Sequence, residues 1–244
     1  GRAHDCDFLL DPAASRAPRA LTHVPSHCRS LTGTGYALVD PEYARWRLHA
    51  MARRAKRGGT GAATGPQATD RDRTAQPVRR VLVSFGGVDH TNATAKAIEA
   101  LRRCEFEGEV DVVLGELAPH LHAVKGLVEQ SLPQGRLHVG RSNLASLMAF
   151  ADLAIGAAGN TSWERCTLGL PSIVISTAPN QQNVARALAE QAAALYLGDD
   201  EKVTVDALAQ ALRELLTDRD RLASMAHRAA TLCDGLGAAR VALH

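Results

Sequence analysis

The chain has 244 residues, 45% of them hydrophobic, enough to bury a sizeable core and to exclude disorder throughout. A formal net charge of +2 is too mild to draw nucleic acid or an anionic membrane, so neither is expected as a partner. With no apolar run near ~18 residues and no basic-then-apolar stretch, the sequence predicts a soluble, cytoplasmic protein.

Residues 1–40 carry two short apolar stretches, 7–10 and 36–39, separated by Pro, Ser and Arg. They do not make a core of their own, and Asp7-Phe8-Leu9-Leu10 reads as a strand already under way. This stretch is expected to be the remnant of an amino-terminal Rossmann-like domain whose front lies upstream of Gly1. A basic helix follows over 41–57, and its Arg53, Arg54, Lys56 and Arg57 read as a solvated helix end. Residues 58–76 run from Gly58-Gly59-Thr60-Gly61 through Asp70-Arg71-Asp72-Arg73 and have nothing to bury. They predict a flexible insertion, so 41–77 is taken as one connecting segment.

At Val78 the pattern changes. Short apolar runs at 80–84, 110–114, 136–139, 152–155, 172–176 and 194–197 predict strands. Between them, helices are predicted over 91–103, 119–130, 143–150, 162–168 and 181–191, with two more at 205–216 and 220–233. This alternation predicts an α/β fold, a Rossmann-like parallel sheet over 78–244 covered on both faces.

Cys6, Cys28, Cys104, Cys166 and Cys233 are odd in number and widely spaced, which argues against a disulfide framework and a zinc site. The ten histidines show no ligand spacing, so no metal and no cofactor is expected. His90 is the one histidine beside a candidate loop, and it reads as incidental.

In an open parallel sheet, ligands collect at the carboxyl ends of the strands, where loop amides and helix amino ends converge. Three loops are candidates there. In Ser84-Phe85-Gly86-Gly87-Val88-Asp89, Gly86 and Gly87 would let backbone amides approach a ligand, or would simply serve a tight turn. In Gly156-Ala157-Ala158-Gly159-Asn160-Thr161-Ser162-Trp163-Glu164, small residues clear space for a diphosphate at a helix start. There Gly159, Asn160 and Thr161 would line the diphosphate and Glu164 would accept from ribose hydroxyls. Thr161 and Glu164 equally fit a capping box, in which Glu164 only caps its own helix. In Thr177-Ala178-Pro179-Asn180-Gln181-Gln182-Asn183, the carboxamides of Asn180 and Gln181 suit a hydroxyl- or acetamido-bearing sugar, or a plain helix cap with solvated neighbours.

These three loops, in this order, resemble the carboxyl-terminal domain of GT-B nucleotide-sugar enzymes. The run from Ala151 to Glu164, then Leu168-Gly169-Leu170-Pro171-Ser172 and Asn180-Gln181-Gln182-Asn183, is similar to the donor-binding stretch of the UDP-GlcNAc transferase that makes lipid II. A closer resemblance rests on Leu82-Val83-Ser84-Phe85-Gly86-Gly87-Val88-Asp89, on Trp163-Glu164-Arg165-Cys166 and on Gly35-Tyr36-Ala37-Leu38-Val39. It is to the UDP-2,4-diacetamido-2,4,6-trideoxy-β-L-altropyranose hydrolase family of pseudaminic acid biosynthesis. The resemblance implies the carboxyl-terminal half of a GT-B architecture, a UDP-sugar substrate, Glu164 on the ribose and Asn180 facing the sugar. It implies attack of water at the anomeric carbon with release of UDP. That family's catalytic histidine lies in a Gly-x-Gly-His-x-x-Arg turn, which does not occur in this sequence. The general base is therefore expected upstream of Gly1, and no catalytic residue is assigned. A glycosyltransferase donor domain and a non-catalytic UDP-sugar-binding module remain the alternatives.

Overall fold

The computed structural model of the chain describes residues 5–12, 24–57 and 78–244. The insertion predicted over 58–76 lies outside them. Six strands, β3 (Arg80–Ser84), β4 (Glu109–Leu114), β5 (Gly135–Val139), β6 (Leu153–Ala157), β7 (Ser172–Ser176) and β8 (Leu195–Asp199), form one sheet in the order β5-β4-β3-β6-β7-β8. Every adjacent pair is parallel. The chain builds outward from β3 to β5, then returns to place β6 against the other side of β3. That reversal creates a switch point between β3 and β6.

Alternate strand residues feed two cores. Val81, Val83, Val112, Ile155 and Ile173 pack with α2 (Ala93–Arg103), α3 (Leu121–Ser131) and α7 (Val205–Thr217). Leu82, Ala154 and Val174 pack on the opposite face with α4 (Ala145–Phe150), α5 (Thr161–Thr167), α6 (Gln182–Glu190) and α8 (Arg219–Leu232). Apolar burial on both faces is the mark of a parallel sheet sheathed in helices, so the predicted Rossmann-like α/β class is found.

The strand predicted over 152–155 runs two residues further, because Gly156 and Ala157 pair with Val174 and Ile175. Gly156 reads as a turn residue in sequence but is glycine for closeness: a Cβ there would collide with the Ser84 carbonyl oxygen and lie 2.6 Å from Arg165 Nη1. The apolar pattern also misses β2 (Arg29–Thr32) and α9 (Gly237–Val241). β2 pairs in parallel with β1 (Phe8–Asp11), apart from the main sheet. Of the eight residues in that pair only Leu31 is buried, which is why β2 carries no apolar signature.

Helix α1 (Pro41–Arg57) packs on the second core through Tyr43 and Ala50. Here the reading of Arg53 and Arg54 as solvated is corrected. Arg54 is half-buried, with its guanidinium turned inward to donate to the carbonyls of Leu168 (2.5 Å), Met148 (2.6 Å) and Ala151 (2.9 Å). Arg53 pairs with Asp152 at 2.8 Å and donates to Ala151 O. Arg47 donates to the carbonyls of Thr167 (2.5 Å), Ala230 (2.6 Å) and Cys233 (2.9 Å). These acceptors lie at the carboxyl ends of α4, α5 and α8, where helical carbonyls lack intrahelical partners and the dipole favours a cation. Of the rest of that basic run, Lys56 is exposed as expected. An Arg47→Met substitution keeps the apolar stem and removes three charge-assisted bonds. It is expected to lower the unfolding free energy by about 2–4 kcal/mol in urea denaturation; an unchanged midpoint would mean that α1 is held by apolar contact alone.

Candidate functional site

The register brings the three predicted loops side by side at one sheet edge. Ser84, the last residue of β3, is opposite Gly156 of β6, and Ala157 of β6 is opposite Ile175 of β7. The loop from Phe85 to Asn92, the turn from Ala158 to Asn160 and the loop from Thr177 to Gln181 therefore emerge together at the switch point, where such folds place ligands.

Of the helix amino ends at this edge, those of α2 and α5 flank the switch point, and they differ. Asp89 closes α2, its carboxylate accepting from the amides of Ala93 (3.0 Å) and Thr94 (2.9 Å). Among the described residues no side chain caps α5. Its first turn is held by backbone bonds from Ser162 to Gly159 and from Trp163 to Asn160, and the amides of Asn160 and Thr161 have no acceptor among the described residues. An anion arriving at the edge thus finds α2 occupied and α5 open.

Arg165 adds charge beneath that turn. It is buried, forms no ion pair among the described residues, and donates from Nη2 to Ala157 O (2.6 Å) and Ser162 Oγ (3.1 Å). Burial lowers its guanidinium to about 10, which leaves it cationic at neutral pH.

Gly86 and Gly87 are exposed. Gly86 takes a positive φ of 98°, so the turn accounts for it. Gly87 and Gly159 do not take positive φ, and a Cβ on either would meet no atom within 4 Å. The fold itself gives no reason for glycine at these two positions. Asn160 is exposed and Thr161 half-buried beside them.

Glu164 does not cap its helix. Its Oε2 accepts from the Tyr43 hydroxyl at 3.0 Å, and Oε1 has no hydrogen bond among the described residues. Burial raises its carboxyl above the ordinary range, against the Tyr43 hydrogen bond and the Arg165 charge, with Asp40 adding a further upward push. In the sequence Tyr43 is one residue of a basic helix, with nothing local to mark it as a partner of Glu164. Arg165 lies in a phrase singled out there but was given no role. The signal for Tyr43 is its spacing: Tyr43, Arg47, Ala50 and Arg54 recur at i, i+4, i+7 and i+11, a single helical stripe.

In the third loop, Gln181 turns inward, and its Oε1 accepts from Thr177 N (3.0 Å) and Thr177 Oγ1 (3.3 Å), leaving only its amide nitrogen to give. Gln182 is not solvated but donates to Asp199 Oδ1 at 2.8 Å. Asn180 is exposed and has no side-chain hydrogen bond among the described residues. His90 is exposed, and its carbonyl accepts from the His120 ring at 3.1 Å. A cavity of about 590 Å³ opens at the opposite sheet edge, lined by Arg79 as well as Glu105, Glu107 and Glu109, away from the three loops. Among the described residues no cluster of three His, Cys, Asp or Glu is placed to hold a metal ion, and no helix is long and apolar enough to cross a membrane.

Residues 138–240 match the model of the glycosyltransferase family 28 C-terminal domain. The chain is 30% identical over 165 residues to the spore coat polysaccharide biosynthesis protein SpsG of Bacillus subtilis, covering 67% of this chain and 48% of SpsG. It is 30% identical over 200 residues to the UDP-N-acetylglucosamine–N-acetylmuramyl-(pentapeptide) pyrophosphoryl-undecaprenol N-acetylglucosamine transferase of Moorella thermoacetica, covering 74% of this chain and 53% of that enzyme. The chain thus spans about half the length of these curated relatives. Among solved structures, Acinetobacter baumannii MurG superposes with a TM-score of 0.61 at 18% identity, covering 96% of this chain and 64% of MurG. WaaG, a glycosyltransferase of lipopolysaccharide biosynthesis, gives 0.57 at 18% identity over 88% of this chain and 54% of its own. The fold is a parallel-sheet, Rossmann-like α/β fold of the kind these GT-B glycosyltransferase structures share.

A raised Glu164 pKa carries a sign. Below the ordinary glutamate range the carboxyl is neutral in both folded and unfolded chains; as pH rises from the unfolded value to the higher folded one, the unfolded chain ionises first and stability is lost, the loss being complete above the folded value. Glu164→Gln is therefore expected to raise Tm at neutral pH, with the gain shrinking to nothing near pH ~4. A gain that grew on acidification would contradict this assignment.

Proposed function

We propose that this chain is the donor-nucleotide part of an enzyme that breaks the anomeric carbon–oxygen bond of a UDP-sugar. The observation that carries the reading is the conjunction, at the β3/β6 switch point, of the open amides of Asn160 and Thr161 with the unengaged Oε1 of Glu164 one helical turn on. The amides, the α5 dipole and the buried Arg165 cation suit a diphosphate. A carboxylate oxygen with free lone pairs suits the ribose hydroxyls. Gly86 and Gly87 approach from the β3 side, and Asn180 with the amide nitrogen of Gln181 offers donors to the sugar.

The reaction we favour is hydrolysis. The oxygen of water bonds to the anomeric carbon, the bond to the diphosphate oxygen breaks, its electron pair leaves with UDP, and the proton of water passes to a base. Holding the charge of UDP by amides and a buried cation makes it the better leaving group. The resemblance of Trp163-Glu164-Arg165-Cys166 to the hydrolases of UDP-diacetamido-trideoxy-hexoses in pseudaminic acid biosynthesis supports this reading. Attack by an acceptor hydroxyl is the alternative, supported by relatives named as N-acetylglucosamine transferases.

Titration calorimetry of the 244-residue chain is expected to give UDP binding in the range of about 1 µM to 1 mM common among enzyme substrates. No binding in that range would sink the proposal. UDP release from UDP-sugar in water alone favours hydrolysis, release only with an added acceptor favours transfer, and binding without release leaves a binding module. Gly159→Ala separates fold from ligand: Tm is expected to hold or rise, while UDP affinity falls by about tenfold. Equal affinity for the variant and the parent would remove Gly159 from the site.

A further inference from the structure

Helix α1 lies outside the sheet and its loops, yet it supplies the group that holds Glu164. The Tyr43 hydroxyl donates to Glu164 Oε2 at 3.0 Å and accepts from the Leu144 amide at 3.3 Å. It therefore joins the amino-terminal ends of α4 and α5 at the carboxyl edge of the sheet. Only 3% of Tyr43 is exposed, and its ring is locked in the second core. A hydroxyl with both a donor and an acceptor partner has a fixed proton direction, and the chain Leu144 N–H, Tyr43 O–H, Glu164 carboxylate polarises along its length.

A carboxylate on a short helix can rotate about its terminal torsion at little cost. Two ribose hydroxyls are recognised together only if that plane is set before the ligand arrives. On the reading of Glu164 given above, we propose that Tyr43 is a positioning residue for nucleotide binding. It fixes Oε2 so that Oε1 and the remaining Oε2 lone pair are presented to the ribose. The placement of α1 by Arg47 and Arg54 then bears on affinity as well as on stability.

The test compares UDP with 2′-deoxy-UDP by calorimetry in four chains: wild type, Tyr43→Phe, Glu164→Ala and the double variant. Tyr43→Phe keeps the ring and removes only the hydroxyl. It is expected to weaken UDP several-fold, up to about tenfold, to weaken 2′-deoxy-UDP less, and so to reduce the preference between them. In the Glu164→Ala background, where no carboxylate is left without its donor, Tyr43→Phe should change the preference no further. A wild-type preference that Glu164→Ala abolishes and Tyr43→Phe retains would overturn the positioning role alone. A further loss in the double variant would also overturn it, since Tyr43 would then act independently of Glu164. No wild-type preference for UDP would remove the ribose reading of Glu164 and this proposal with it.

Discussion

The docking of α1 by guanidinium groups onto helix carboxyl ends is the interaction on which the candidate site rests. Three helices, α4, α5 and α8, end beneath α1 with carbonyls that have no partner in their own turns. Arg47 and Arg54 supply six hydrogen bonds of 2.5–2.9 Å to them. Burying the Arg54 guanidinium with no direct ion pair among the described residues is costly, enough to lower it to about 9. The carbonyl bonds and the negative ends of the dipoles offset that cost. The contact is directional in a way that apolar packing is not. It fixes the height of α1 against α5, and one turn before Arg47 the same stripe delivers Tyr43 to Glu164.

The second constraint is topological. Placing β6 beside β3 leaves two helix amino ends next to each other at one edge, and the sequence treats them oppositely. α2 receives an aspartate that consumes its amides, whereas α5 is left bare with a cation buried beneath it. A protein seeking only stability would cap both, since a missing cap forfeits roughly 0.5–2 kcal/mol. The asymmetry leaves the α2 amides engaged by Asp89 and the first amides of α5 open among the described residues.

The strands of the main sheet were legible because both faces are buried, giving apolar runs that stand out from their surroundings. β7 and β3 match the sequence reading at both ends. β6 was cut short because glycine signals a turn by its freedom of φ, while Gly156 is there for the closeness of Ser84 and Arg165, a fact of the tertiary structure. The loops of the site could be read from glycine and carboxamide content placed after strands. The partner of Glu164 could not, because Tyr43 is 121 residues away and nothing local distinguishes a tyrosine that donates across helices from one that fills a core. The arginines of α1 misled for a related reason: a run of like charges at a helix end usually faces water, and only the convergence of three other helix ends changes that.

Glu164, Gly87 and Gly159 share a property that separates them from their neighbours. Each is a poorer choice for the fold than an available alternative. Glu164 ionises against burial, so a neutral isostere holding the same Tyr43 bond would cost less. Gly87 and Gly159 spend backbone entropy where an alanine would fit without strain or collision. By contrast, Gly156 and Asp89 are explained fully by what they touch within the chain. Gly35 and Gly126 are equally unhindered away from this edge, so an open glycine alone marks no site, and the weight falls on what surrounds it. Glu164, Gly87 and Gly159 share one sheet edge, where one carboxylate oxygen and two amides are unengaged among the described residues, and the diphosphate and ribose of the proposed ligand would engage them together.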